Sequence, residues 1–317
     1  MRAAKPIAIL LVLTSLCLGG LALAQPPATE SGFVQVEDDV RLYYQRYGSG
    51  TPTVFIPNRH ELVTSFASLL HFHDVVTWDP RGRGLSDRPT EQGRYGIDAE
   101  LADAEALRRH FGAERVVYVG VSLWGNLGIL YAARHPESVA GVVALGPLGI
   151  AQSLMRGSLK RPTPNTTPQR VELARMRTDG RIQTQPYAYC VLEQDMGVAD
   201  SYWDPATMAP FLAANLCQYP NEQSFRLGLV IDGIFRTFGF WDWRADADVV
   251  EAPVLLLFGE HEKWRTDSVM AYADHLRDVG WLEVERAGHH VWNDRADVVI
   301  PLMDTFFRGQ WPEGVNR

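Results

Sequence analysis

Short apolar runs alternate with amphipathic stretches through most of this chain. Phe33-Val34-Gln35-Val36 and Val40-Arg41-Leu42-Tyr43-Tyr44 flank Asp38-Asp39, a pattern that predicts a β-hairpin. Thr53-Val54-Phe55-Ile56 and Asp74-Val75-Val76-Thr77-Trp78 are apolar runs of strand length, with a helix predicted from about Glu61 to Leu70 between them. Ile97, Leu101, Ala104, Leu107 and Phe111 recur at helical intervals and predict an amphipathic helix. A strand from Arg115 to Val119, a helix after Ser122 stopped by His135-Pro136, and a strand from Val139 to Leu145 continue the rhythm. Further on, Ala252 to Gly259 reads as a buried strand, Asp267 to Val279 as a helix, Trp281 to Arg286 as a strand and Ala296 to Phe307 as a last helix. Strands alternating with helices imply right-handed crossovers and an α/β fold whose mostly parallel sheet is covered on both faces.

That rhythm breaks between Gly146 and Ala247. Pro162-Thr163-Pro164-Asn165-Thr166-Thr167-Pro168 reads as an exposed loop, and Trp203, Phe211, Tyr219, Phe235, Phe238, Phe240, Trp241 and Trp243 follow without a clear β run. The pattern predicts a helical cap over residues 147–247, inserted between two parts of one core at 25–146 and 248–317. In such a fold the cap would sit over the carboxyl ends of the strands, where ligands bind.

The N-terminal residues follow a different rule. Arg2 and Lys5 precede an apolar run from Ile7 to Leu16, and Ala22-Leu23-Ala24 then supplies an A-x-A site, so residues 1–24 read as a secretory signal peptide. A membrane anchor is the alternative, but Thr14, Ser15, Gly19 and Gly20 interrupt a stretch barely long enough to span a bilayer. Leu16 before Cys17 argues against a lipoprotein linkage. The expectation is a secreted or periplasmic protein with no stable membrane anchor.

Loss of Arg2 and Lys5 would reduce the 30 basic residues to 28 against 38 acidic ones, a net charge of about −10. No basic patch remains, which excludes nucleic acid as a partner. Cys190 and Cys217 form an even pair in an exported chain and point to a disulfide, two buried thiols being the alternative.

Candidate chemistry gathers at predicted strand ends. Val117-Tyr118-Val119-Gly120-Val121-Ser122 runs from a strand into a small-residue turn that opens a helix, a strained elbow on which a serine hydroxyl stands clear of the sheet. Glu262 follows the strand ending at Gly259, and His289 follows Gly288 after the next strand. A serine hydroxyl is a poor nucleophile at neutral pH, so an imidazole must take its proton and a carboxylate must fix the imidazole. The order Ser122, Glu262, His289 supplies those groups, with His290 and Glu260 as rivals for the base and the acid. Trp124 occupies a position where an elbow normally has a small residue. It is expected to face a small neighbour and to leave Ser122 exposed. Asp79-Pro80-Arg81-Gly82-Arg83-Gly84-Leu85-Ser86-Asp87 lacks the spacing and lysine of a phosphate loop and reads as a structural turn. His71-Phe72-His73 has no third ligand and reads as a turn.

With the Asp79 to Asp87 turn, Gly120-Val121-Ser122, the spacing from Ser122 to Pro136, the Pro253 to Glu262 segment and Gly288-His289 with Trp292, the chain resembles the α/β-hydrolase superfamily, particularly its capped proline-iminopeptidase-like and esterase-like branch. The resemblance implies Ser122 as nucleophile, His289 as general base and Glu262 as the acid, where most relatives carry Asp. It implies an oxyanion hole from the Leu123 N–H and one from the loop after the third strand, where Pro57-Asn58-Arg59 replaces the usual His-Gly-x and Arg59 would donate. It also implies acidic cap residues that hold a substrate amine, with Glu222 and Glu193 as candidates, beside Trp124 as a substrate contact. The expected activity is hydrolysis of a small ester, amide or short peptide through an acyl-enzyme, with no cofactor and no metal. A non-catalytic ligand-binding relative and a cofactor-free peroxidase or lyase are the alternatives.

Overall fold

The structure, a computed structural model, describes residues 27–58, 62–155, 167–199, 201–208, 212, 215–226, 229–262 and 266–317. The predicted signal peptide and Arg59 lie outside the described residues. Eight strands form one sheet: β1 (Glu30–Glu37), β2 (Val40–Tyr47), β3 (Thr53–Pro57), β4 (Val75–Trp78), β5 (Val116–Val121), β6 (Val139–Leu145), β7 (Val254–Gly259) and β8 (Val279–Val284). Their order is β1-β2-β4-β3-β5-β6-β7-β8. The β1-β2 hairpin and the β2-β4 pair are antiparallel. From β4 onward every neighbouring pair is parallel.

Strand side chains alternate between two faces, and each face meets helices. Val117, Val119, Val143, Leu145, Leu255 and Leu257 point to one side, into a cluster with Met303, Phe306 and Phe307 of the C-terminal helix Ala296–Phe307. Tyr118, Val142, Ala144, Leu256 and Phe258 point to the other, into a cluster with residues of α1 (Ile97–His110) and α2 (Leu123–Arg134). Each large apolar side chain removed from water in this way contributes roughly 1.5–3 kcal/mol. Burial on both faces is why these runs carry no polar residue at alternate positions.

Between β6 and β7 the described residues are mostly helical, including α3 (Thr167–Thr178), α4 (Pro186–Ala199), α5 (Pro220–Arg226) and α6 (Leu229–Phe238). An isolated bridge between Ala151 and Asp242 joins the two ends of this insertion. Cys190 on α4 is bonded to Cys217, which lies just before α5.

Two predicted helices are shorter than expected. Residues 62–71 form turns ending in a short 3₁₀ segment, Leu69–His71, rather than a continuous helix. The helix expected from Asp267 spans only Thr266–Met270, and β8 begins at Val279, two residues before its predicted start. The paired strand β7 sets that register, with Val254 opposite Val279.

The Cys190–Cys217 bond closes a loop with a sequence separation of 27. In the chain-entropy account such a loop contributes about 3–4 kcal/mol. Replacing both cysteines by alanine is expected to lower the urea midpoint measured by circular dichroism; an unchanged midpoint would show that the insertion stands without the bond.

Candidate active site

β5 ends at Val121, and α2 starts at Leu123, so Ser122 alone makes the turn. Its backbone sits at φ 54 and ψ −127, a region that costs a non-glycine residue about 1–3 kcal/mol. Two backbone bonds hold it there: the Ser122 N–H donates to the Leu145 carbonyl at 2.8 Å, and the Gly125 N–H donates to the Ser122 carbonyl at 2.9 Å. The turn is so tight that a Cβ at Gly120 would lie 2.1 Å from the Trp124 carbonyl oxygen. Leu123 is the first residue of α2, so its N–H has no acceptor within the helix, and the helix dipole places partial positive charge beside it.

His289 and Glu262 meet at the neighbouring strand ends. The Glu262 Oε1 atom lies 2.7 Å from His289 Nδ1, and both residues are buried. A carboxylate on Nδ1 fixes the ring so that Nε2 is left to take and return a proton. The rivals point elsewhere. Glu260 accepts the Arg286 N–H at 3.0 Å, and His290 Nδ1 lies 2.8 Å from the Tyr202 hydroxyl.

Ser122 connects to this pair through β6. Leu145 accepts the Ser122 N–H, and the next residue, Gly146, lies beneath the pair. A Cβ at Gly146 would be 2.9 Å from Glu262 Oε2 and 3.0 Å from His289 Nδ1, and its φ of +53 is itself unfavourable for a side chain. Gly146 is a site residue that the sequence reading did not identify; its only signal was a glycine directly after a buried strand.

The insertion grips the histidine loop. The His290 N–H donates to the Ser201 carbonyl at 3.0 Å. Asp294 accepts from the backbone N–H groups of Trp203 at 2.7 Å, Asp204 at 3.2 Å and Gly288 at 2.8 Å.

A second polar cluster lies around the Asp79 to Asp87 turn. Arg81 pairs with Asp103 of α1 at 2.6 Å and with Glu37 of β1 at 2.8 Å. Arg83 pairs with Glu222 of α5 at 2.8 Å, and its guanidinium lies over the Trp124 ring at 5.3 Å. The indole is thus buried with an arginine over its ring, and Ser122 remains half-buried rather than covered.

Glu222 is fully buried with both carboxylate oxygens accepting from Arg83, so its charge is met from within the protein. Glu193 faces Arg177 at 3.9 Å. His73, of the His-x-His run, lies 2.6 Å from Asp304 through Nε2.

Glu100 on α1 joins the second cluster. Burial pushes its carboxyl up to about 8, the Asp103 charge adds to this, and Arg81, the Trp124 indole and Arg83 offset part of it. Between an ordinary carboxyl value near 4.5 and about 8, the folded protein therefore holds a proton that the unfolded chain has released. Stability from this group falls as pH rises through that window. Glu100→Gln is expected to raise the melting temperature progressively more, relative to wild type, between pH 5 and pH 8; a difference independent of pH would contradict a protonated Glu100.

Comparison with known proteins agrees with this architecture. A family model for the alpha/beta hydrolase fold matches residues 56–296. A cis-3-alkyl-4-alkyloxetan-2-one decarboxylase of Shewanella oneidensis is 22% identical over 289 residues, 84% of this chain and 85% of that protein. A probable proline iminopeptidase of Streptomyces coelicolor is 31% identical over 224 residues, covering 63% and 67%. An esterase from Exiguobacterium antarcticum shares the fold with a TM-score of 0.66, at 15% identity over 88% of this chain and 100% of that one. The chain belongs to the α/β-hydrolase superfamily.

Proposed function

We propose that this α/β hydrolase cleaves esters of small molecules through an acyl-enzyme on Ser122. The observation that carries the reading is the buried 2.7 Å contact between Glu262 and His289, joined to the Ser122 turn through Leu145 and Gly146. Ser122 Oγ attacks the substrate carbonyl carbon while its proton passes to His289 Nε2. The Leu123 N–H, at the positive end of α2, stabilises the oxyanion, with a second donor from the loop that follows β3, where the sequence places Arg59. The imidazolium, steadied by Glu262, returns the proton to the leaving alkoxide. Water then repeats the sequence on the acyl-enzyme, releasing the acid and restoring the serine hydroxyl.

The ester reading is favoured over aminopeptidase action because Glu222 and Glu193, the carboxylates expected to hold a free amine, both face arginines. The oxetan-2-one named for the Shewanella relative is a cyclic ester, so acyl attack by a serine is also a chemically reasonable first step on a substrate of that type. That similarity supports a second reading, in which the substrate is a cyclic ester that Ser122 opens to a hydroxyacyl-enzyme and water then releases as the hydroxy acid. Export, with a mature chain starting near Gln25, is part of the proposal and is supported by the Cys190–Cys217 bond, which oxidising compartments preserve.

A fluorophosphonate probe is expected to label the protein, and Ser122→Ala is expected to abolish labelling and reduce p-nitrophenyl ester hydrolysis by roughly 10⁴-fold or more. Labelling that persists in Ser122→Ala would overturn the assignment. Faster cleavage of an N-terminal proline amide than of any ester would overturn the preference for esters. Gly146→Ala is expected to lower kcat by roughly 10–100-fold with little change in KM, because the added methyl displaces the Glu262–His289 pair. Full activity in that variant would show that the pair does not depend on the glycine.

A further inference from the structure

The two places where this chain departs from the elbow and oxyanion patterns of its superfamily lie far apart in sequence, at Asn58 and Trp124. In the structure they share one neighbour. Arg83 donates through Nη1 to Asn58 Oδ1 at 2.5 Å, and the same guanidinium lies over the Trp124 ring at 5.3 Å. Its other edge is taken by Glu222, with Nε donating to Oε1 at 3.1 Å and Nη2 to Oε2 at 2.8 Å. Glu222 Oε1 also accepts the Gly84 N–H at 3.1 Å. Arg83, Asn58 and Trp124 are each at most 5% exposed, and Glu222 is 0% exposed.

Asn58 has φ 61, in the left-handed region that glycine adopts freely and other residues avoid. Asparagine is among the side chains best tolerated there, yet it still needs its surroundings to select that conformation. A planar guanidinium suits this task, because its donors are fixed in one fork. One edge is immobilised by a carboxylate, and Nη1 on the other is directed at Asn58 Oδ1.

We propose that Arg83 is a positioning residue: anchored by Glu222, it holds Asn58 in the left-handed turn that leads out of β3 and braces Trp124 on the other side of Ser122. The arginine thereby replaces the conformational freedom that a glycine would give the turn. Trp124, rather than obstructing the elbow, supplies the flat surface on which the guanidinium rests. The kinetic consequence rests on the serine-hydrolase reading, in which the loop begun by Asn58 carries an oxyanion donor. The conformational consequence does not.

Two variants separate the role from simple loss of folding. Arg83→Lys keeps a positive charge facing Glu222 but cannot reach Glu222 and Asn58 through one rigid fork. The double variant Arg83→Met with Glu222→Gln removes the buried charge pair together. Both are expected to fold, to retain KM for a p-nitrophenyl ester within about twofold, and to lose roughly 10–100-fold in kcat, the scale of a displaced oxyanion donor. Adding Asn58→Gly to the double variant is expected to recover most of that loss, because glycine needs no partner to hold the turn. A merely structural role would give a loss that glycine does not repair. Crystal structures supply a reading independent of activity: Asn58 is expected to leave its positive φ in the double variant. Asn58 remaining near φ 60 there, or unchanged kcat in both Arg83 variants, would overturn the proposal. Absence of ester turnover in the wild-type protein would instead count against the serine-hydrolase reading, and the Asn58 conformation would still decide the role of Arg83.

Discussion

A carboxylate placed where water does not reach must be met by a partner, and at the end of β7 that requirement organises the reactive edge of the molecule. Glu262 is almost wholly buried. Breaking such a pair leaves an uncompensated buried charge, at a cost of several kcal/mol. The partner is His289, and it arrives because β7 and β8 pair in parallel, so that the chains leaving their carboxyl ends emerge side by side. β6, on the other side of β7, is followed directly by Gly146, which lets both groups sit against its backbone. β5 comes next in the sheet and is followed directly by Ser122. Ser122, Glu262 and His289 lie at one edge of the sheet because the parallel strands that lead to them stop there.

A second set of paired charges belongs to a different loop. The Asp79 to Asp87 turn holds two arginines that face in different directions: Arg81 toward α1 and β1, Arg83 toward the insertion and the end of β3. Buried ion pairs of this kind are weak evidence for net stability, since desolvation offsets much of the attraction. Their consequence here is geometric, because each guanidinium permits few arrangements of the groups around it. The turn resembles a phosphate loop only in its glycines; the Gly84 and Leu85 N–H groups already donate to Glu222 and Asp79.

Local chemistry wrote much of this into the sequence. The strand from Val139 to Leu145 and the helix from Ala296 to Phe307 match their apolar patterns residue for residue. The order of Ser122, Glu262 and His289 at strand ends marked two groups that are in contact and a third on a strained turn. Other features left no local trace. Arg83 and Glu222 are 139 residues apart, and nothing near either one announces the other. Glu222 therefore read as a carboxylate available to a substrate, and the Asp79 to Asp87 turn as a passive connection. Trp124 read as facing a small neighbour for the same reason, since the sequence around it does not show that Arg83 lies over its ring. Helix lengths failed where tertiary pairing decides them, as at Val279, whose register is imposed by β7.

The helical insertion is tied to the reactive edge at more than one point, and this bears on what it does. Asp294 gathers backbone N–H groups from residues 203 and 204 of the insertion and from Gly288 of the histidine loop onto one carboxylate. Tyr202 accepts from the Asn293 side-chain amide at 3.0 Å and lies within hydrogen-bond distance of His290, the residue after His289. Further along the insertion, Glu222 holds Arg83, which donates to Asn58 at the turn out of β3. A segment that only covered a pocket would need contacts along its rim. This one supplies hydrogen-bond partners to the loop that carries His289 and, through Arg83, to the turn out of β3, so the insertion is part of the framework that fixes both.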